Sequence, residues 1–149
     1  MEIDSVSLLN NLIEISKDTE DGYLAAAENV EDLYLQKLLK ERAENYHIAA
    51  MNLQRMVKEM DGVPVDHGSL LAAVHRGWEN IKRTFIGKND LDILGECERG
   101  EEVIEAAYKK VLRGKHLNGE IRPLLLQQYK NIIADRNIIR ELKEKYLGN

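Results

Sequence analysis

Apolar residues in this chain recur at spacings of three and four, the period of a helix with one buried face. Leu9, Leu12, Ser16, Thr19, Tyr23 and Ala26 form the first such stripe and predict a helix from about Asp4 or Ser5 to Glu28. Asn29 to Asp32 reads as a break, with Asn29 or Asp32 placed to cap the next helix. Leu39, Ala43, Tyr46, Ala50, Leu53, Val57 and Met60 make a second stripe, ended by Asp61-Gly62-Val63-Pro64 with glycine available for a left-handed cap. A shorter helix is predicted over 69 to 86 on Leu71, Val74, Trp78, Ile81 and Phe85, with Gly87 as its stop. Asn89 caps a fourth helix that reaches about Gly114. Its stripe is Leu94, Cys97, Glu101, Ile104, Tyr108 and Val111. The last helix spans about Glu120 to Tyr146 on Leu125, Tyr129, Ile132, Arg136, Ile139 and Tyr146, with Pro123 tolerated in the first turn.

Four of these segments are long and one is short. The short one falls between the second and third long ones. An all-α fold follows, with two possible arrangements. Five helices could alternate up and down. Alternatively, four long helices form a bundle and the short helix lies along its side in the connection, which is the ferritin-like solution. The matched lengths of the four long segments favour the second. No repeat or linker divides the chain, so residues 1–149 are expected to form one domain.

Two charged residues fall on apolar stripes. Glu101 sits at the centre of the fourth helix, flanked by Glu98 and Glu102. A buried carboxylate is costly unless it is paired, hydrogen-bonded, protonated or bound to a metal. Arg136 is the other charged residue near a stripe, and a guanidinium is the strongest available answer to Glu101. Tyr23, Tyr46, Tyr129, Ser16 and Thr19 are further candidate donors. On this reading the middle of the bundle is a polar layer whose members satisfy one another.

Composition narrows the partners. Charged residues make up 32% and aromatics 5% of 149 residues, a helical and well-solvated balance. The formal net charge is -5 and no basic run appears, which argues against nucleic acid or an anionic membrane as partner. Cys97 is the single cysteine, so no internal disulfide framework exists. The start of the chain lacks the pattern of a signal peptide, and no apolar run has the length of a membrane span. A cytoplasmic protein is expected.

The chain resembles a bacterial family of ferritin-like four-helix-bundle proteins of unknown function. The resemblance covers nearly the whole length. It rests on Leu9-Asn10-Asn11-Leu12-Ile13 with Lys17-Asp18 and Gly22, on Asp61-Gly62 and Gly68, on His75-Arg76-Gly77-Trp78, on Glu96-Cys97-Glu98-Arg99-Gly100-Glu101, and on Gln128-Tyr129. The His-Arg-Gly-Trp and Glu-Arg-Gly-Glu runs are specific only in combination. The resemblance implies the fold and carries no activity. Relatives often hold histidine where this chain has Arg136.

Ferritin-like di-metal proteins take a glutamate from each of two helices and a Glu-x-x-His from each of the other two. Here Glu20 stands on the first helix, Glu44 with His47 on the second, and Glu98 with Glu101 on the fourth. These five are the candidate ligands for iron or manganese. The last helix has no Glu-x-x-His, so the set is partial, and no catalytic residue is assigned. Cys97 and Trp78 read as core, His75 as hydrogen-bonded structure, and the acidic run from Asp18 to Asp21 as a solvated face. The preferred expectation is a non-catalytic, cytoplasmic bundle protein that self-associates, with a stress link by analogy of fold alone. The alternatives are a di-iron or di-manganese oxidase or peroxide-handling enzyme, and a module presenting a helix face to a protein partner.

Overall fold

The computed structural model describes residues 5–66, 80–114, 117 and 119–147. They form helices joined by turns and short connections, with no strand among the described residues. Four long helices stand out: α1 (Ser5–Asn29), α2 (Leu33–Glu59), α3 (Asp90–Arg113) and α4 (Ile121–Leu147). Residues 80–84 add a short helical stretch. The predicted helix over 69 to 86 and its anchor Trp78 lie mostly outside the described residues. The part that is described ends as expected, with Phe85 fully buried and Gly87 at φ 78°. That angle is one glycine adopts freely and other residues rarely do.

The apolar stripes decide the packing. α1 packs along α2 and α3 along α4, α1 also lies against α3, and α2 and α4 meet only sparsely. Side chains from all four helices share one core, including Leu9, Tyr23, Leu39, Leu53, Leu94 and Ile139. Every member of the predicted α1 stripe is buried, and so are Leu39 to Val57 on the α2 stripe and Leu94 to Tyr108 on the α3 stripe. In α4 the buried line is Leu125, Gln128, Ile132, Asp135 and Ile139. That line is rotated by one residue at two positions from the one expected. Gln128 and Asp135 face inward, while Tyr129 and Arg136 stand on the flank.

Polar contacts at the ends fix how the helices follow one another. Asp32 caps α2, its carboxylate accepting from the Tyr34 and Leu35 amides at 2.8 and 3.2 Å. Asn89 caps α3 through the Asp92 amide at 2.8 Å. Asp90 reaches the turn between α1 and α2, where its carboxylate accepts from the backbone amides of Glu31 (2.9 Å) and Asp32 (3.1 Å). The start of α3 is therefore held at the end of the molecule where α2 also starts. α2 leaves that end for about 40 Å at 1.5 Å per residue. The chain between Met60 and Asn89 must make the return.

The return begins at a tight close. The left-handed position is taken by Asp61 at φ 59°, not by Gly62 as the sequence suggests. Gly62 serves proximity instead. A Cβ there would meet the Val6 methyls at 2.9 Å and a Val57 methyl at 3.0 Å. The segment then lies back on α1 and α2. Asn10 donates to the Val63 carbonyl and accepts from the Val65 amide, both at 3.1 Å, while Gln54 donates to the Val65 carbonyl at 2.8 Å.

Candidate functional site

Glu101 is fully buried, as its stripe position requires. Its donors are two phenols. The Tyr23 hydroxyl donates to Oε1, and the Tyr46 hydroxyl donates to Oε2 at 2.5 Å. The two rings stack with centroids 5.8 Å apart and planes 11° apart. The helix periods make this possible. Tyr23 and Tyr46 sit on the inward lines of α1 and α2, so packing those helices side by side brings both hydroxyls to the α3 carboxylate.

Several influences compete over the Glu101 proton. Burial disfavours the charged form and is the largest. The two phenol donors favour the carboxylate, as does Arg42 more distantly, while Asp135 opposes it. Burial wins, and the pKa of Glu101 is raised to about 8. Burial, then the Glu101 charge, pushes both tyrosines well above their ordinary range, so they remain protonated donors. Burial also pushes the Cys97 thiol up, which suits packing and not nucleophilic chemistry.

Arg136, the donor ranked first from the sequence, does not reach Glu101. Its guanidinium pairs with Glu105 on the outer side of α3. Tyr129 is half-buried against the core, and the Thr19 hydroxyl turns back to its own helix at the Ile15 carbonyl, 2.8 Å away.

The remaining candidate ligands have other partners. Glu20 and His47 face each other across α1 and α2, with Nδ1 and Oε1 3.3 Å apart. Glu44 is exposed beside Lys37 and Lys40. Glu98 pairs with Lys143 at 3.3 Å and Arg140 at 3.5 Å on the α3–α4 face. Among the described residues no three His, Cys, Asp or Glu side chains are grouped to hold a metal. Glu20 with His47, Glu44, Glu98 and Glu101 thus stand in separate contacts.

Beside the Glu101 cluster lies a second set of polar contacts that the sequence reading missed. Arg42 of α2 pairs with Asp135 of α4 across the sparse α2–α4 seam. Burial raises the Asp135 carboxyl to about 6 although Arg42 pulls it down. Further along, the Tyr108 hydroxyl donates to Gln128 Oε1 at 2.7 Å, and Gln128 Nε2 donates to the Ala49 carbonyl at 3.2 Å. A cavity of about 440 Å³ opens in this seam, with Tyr46 and Tyr108 in its lining. Asp18, expected on a solvated face, is also buried. The signal open to the sequence was that Gln128 and Asp135 alternate at three and four residues with Leu125, Ile132 and Ile139, a spacing that the Tyr129 and Arg136 line matches equally well.

Removing one member of the seam pair should be costly. Arg42→Ala is expected to destabilise the protein by about 3–5 kcal/mol, because it strands a largely buried carboxylate. Arg42→Leu combined with Asp135→Leu should recover most of that in thermal unfolding. Equal losses in the single and double variants would show that the two groups do not depend on each other.

These features define an all-helical protein with a buried acid held between two phenols. Residues 4–114 match the family described as a domain of unknown function, DUF2383, and the chain belongs to that family. The matched span contains Tyr23, Tyr46 and Glu101; α4, which supplies Gln128 and Asp135, lies beyond it. Comparison with curated proteins gives no match.

Proposed function

We propose that the chain is a ferritin-like four-helix bundle that works as a non-catalytic, self-associating scaffold. The arrangement is supported by Asp90, which ties the start of α3 to the α1–α2 turn and so requires a connection running the length of α2. The non-catalytic reading rests on one observation. Both oxygens of the central carboxyl group are taken up by the Tyr23 and Tyr46 hydroxyls, where a ferritin-like enzyme would use that acid as a metal ligand. Self-association is supported by the end of the molecule that holds the α1–α2 turn. Leu33 is 78% exposed, Tyr34 65%, Ile86 79% and Leu147 68%. Three of these flank groups at that end: Leu33 and Tyr34 follow Asp32, and Ile86 precedes Asp90. Leu147 follows Tyr146, which interacts with Asp32 and Asp90. Large apolar side chains gathered at one end are a surface that association would cover.

Light scattering coupled to size exclusion, together with metal analysis of protein purified without chelator, tests this reading. A dimer or larger assembly, with no melting response to added iron or manganese, is the expected result. A monomer that carries about two metals per chain, and melts higher with more metal, would replace it with the di-metal enzyme.

A further inference from the structure

Two polar closures bridge the seam between α2 and α4: Arg42 with Asp135, and Gln128 with the Ala49 carbonyl. The cavity lies between them and runs past both, to Asn52 on α2 and Ile138 on α4. The two closures are seven residues apart on each helix, about 10 Å along the axis. Neighbouring helices normally fill such a gap with large apolar side chains. Here the facing walls carry small residues, Ala49 on α2 and Ala134 on α4, and a cavity of about 440 Å³ remains.

From this geometry we infer that the seam is a binding site for a small, uncharged, planar heterocycle with adjacent hydrogen-bond donor and acceptor groups, the chemistry of a nucleobase. The shape argument is the space left between two facing helices where Ala49 and Ala134 stand. The charge argument is that Arg42 and Asp135 already neutralise each other, and the rest of the lining is uncharged. A charged guest would enter a half-buried space with no counter-ion. The polarity argument comes from the amides. Asn45 and Asn131 stand on opposite walls; Asn45 presents a donor and an acceptor side by side, while Asn131 Oδ1 already accepts from Gln127 at 3.3 Å and its amide hydrogens remain to donate. Carboxamides of this kind bind the paired donor and acceptor edge of adenine bidentately. Arg42 Nε is a further donor, buried and without a partner among the described residues. Ile132 and Ile138 supply apolar surface for the flat faces.

Adenine and uracil are the probes, with toluene for a purely apolar cavity and benzoate for an anion site. Saturation-transfer NMR on the full chain detects binding and calorimetry measures it. At least one heterocycle should bind with Kd below about 1 mM, and toluene and benzoate at least about tenfold more weakly. Ala134→Leu, at an exposed helical position suited to leucine, should weaken heterocycle binding about tenfold or more at unchanged Tm. The inference is overturned if neither heterocycle binds by about 5 mM. It is equally overturned if either control binds as well, or if Ala134→Leu folds and binds like the wild type. Because the seam and the self-associating end are separate, failure here leaves the proposed function standing.

Discussion

Replacing Glu101 with alanine is expected to lower stability by about 3–6 kcal/mol, while replacing it with glutamine should cost no more than about 1 kcal/mol near pH 6. The difference follows from what each change leaves behind. Alanine removes the acceptor shared by Tyr23 and Tyr46 and opens a void at the centre of four helices. Each stranded buried hydroxyl costs about 1–3 kcal/mol, and the void adds to that. Glutamine keeps one carbonyl acceptor for one phenol and offers its amide hydrogens to the oxygen of the other. A loss of this size would take a large share of the roughly 5–15 kcal/mol that holds a domain of this size folded. Chemical denaturation of the wild type and both variants at one pH checks the result. Equal losses in the two variants would contradict this, because glutamine keeps the shape of the side chain and its loss would then mean that an amide cannot replace the acid.

Stability should also fall as the pH rises from 5 to 9, and most of that fall should vanish in Glu101→Gln. Glu101 has a folded pKa of about 8, above an ordinary value of about 4.3. Folding therefore favours its protonated form. Its contribution is complete below about pH 4.3 and is lost progressively until the pH passes about 8. Between pH 5 and 9 the loss is about 4 kcal/mol as an order of magnitude. Asp135 has the same sign over a lower window, from about 3.9 up to its folded value of about 6. The two windows separate the groups: loss below pH 6 draws on both, and loss above pH 7 belongs to Glu101. Urea melts at a series of pH values read both variants directly. A wild type whose stability is flat from pH 6 to 9 would contradict the buried neutral acid.

The hydrophobic period made three of the four long helices legible in detail. α1, α2 and α3 bury the lines that their spacing marks out, and Glu101 falls inside because its neighbours at three and four residues do. α4 was legible only as a helix. Two lines cross its middle, one through Tyr129 and Arg136 and one through Gln128 and Asp135, and both share Leu125, Ile132 and Ile139. Tyrosine is the more apolar choice, so the period alone selects the wrong line. The helix packs with Gln128 and Asp135 inward because each meets a partner on another helix: Tyr108 and the Ala49 carbonyl for one, Arg42 for the other. Such partners are far apart in sequence, and local spacing carries no trace of them. The same rotation sends Arg136 outward to Glu105 and leaves Glu101 to the phenols. The polar layer was thus legible as a layer, while its pairings depended on the rotation of one helix.

The central claim is that Glu101 is a neutral acid at neutral pH, enclosed by Tyr23 and Tyr46, its carbonyl oxygen accepting from one phenol and its own hydroxyl donating to the oxygen of the other. Carboxyl ¹³C NMR of protein labelled at glutamate side chains, assigned with Glu101→Gln, follows that proton without reference to stability. One carboxyl resonance, missing in Glu101→Gln, should stay in its protonated position through pH 6 and shift with a midpoint near 8. A Glu101 resonance that titrates with the exposed glutamates, near about 4.3, would contradict the account.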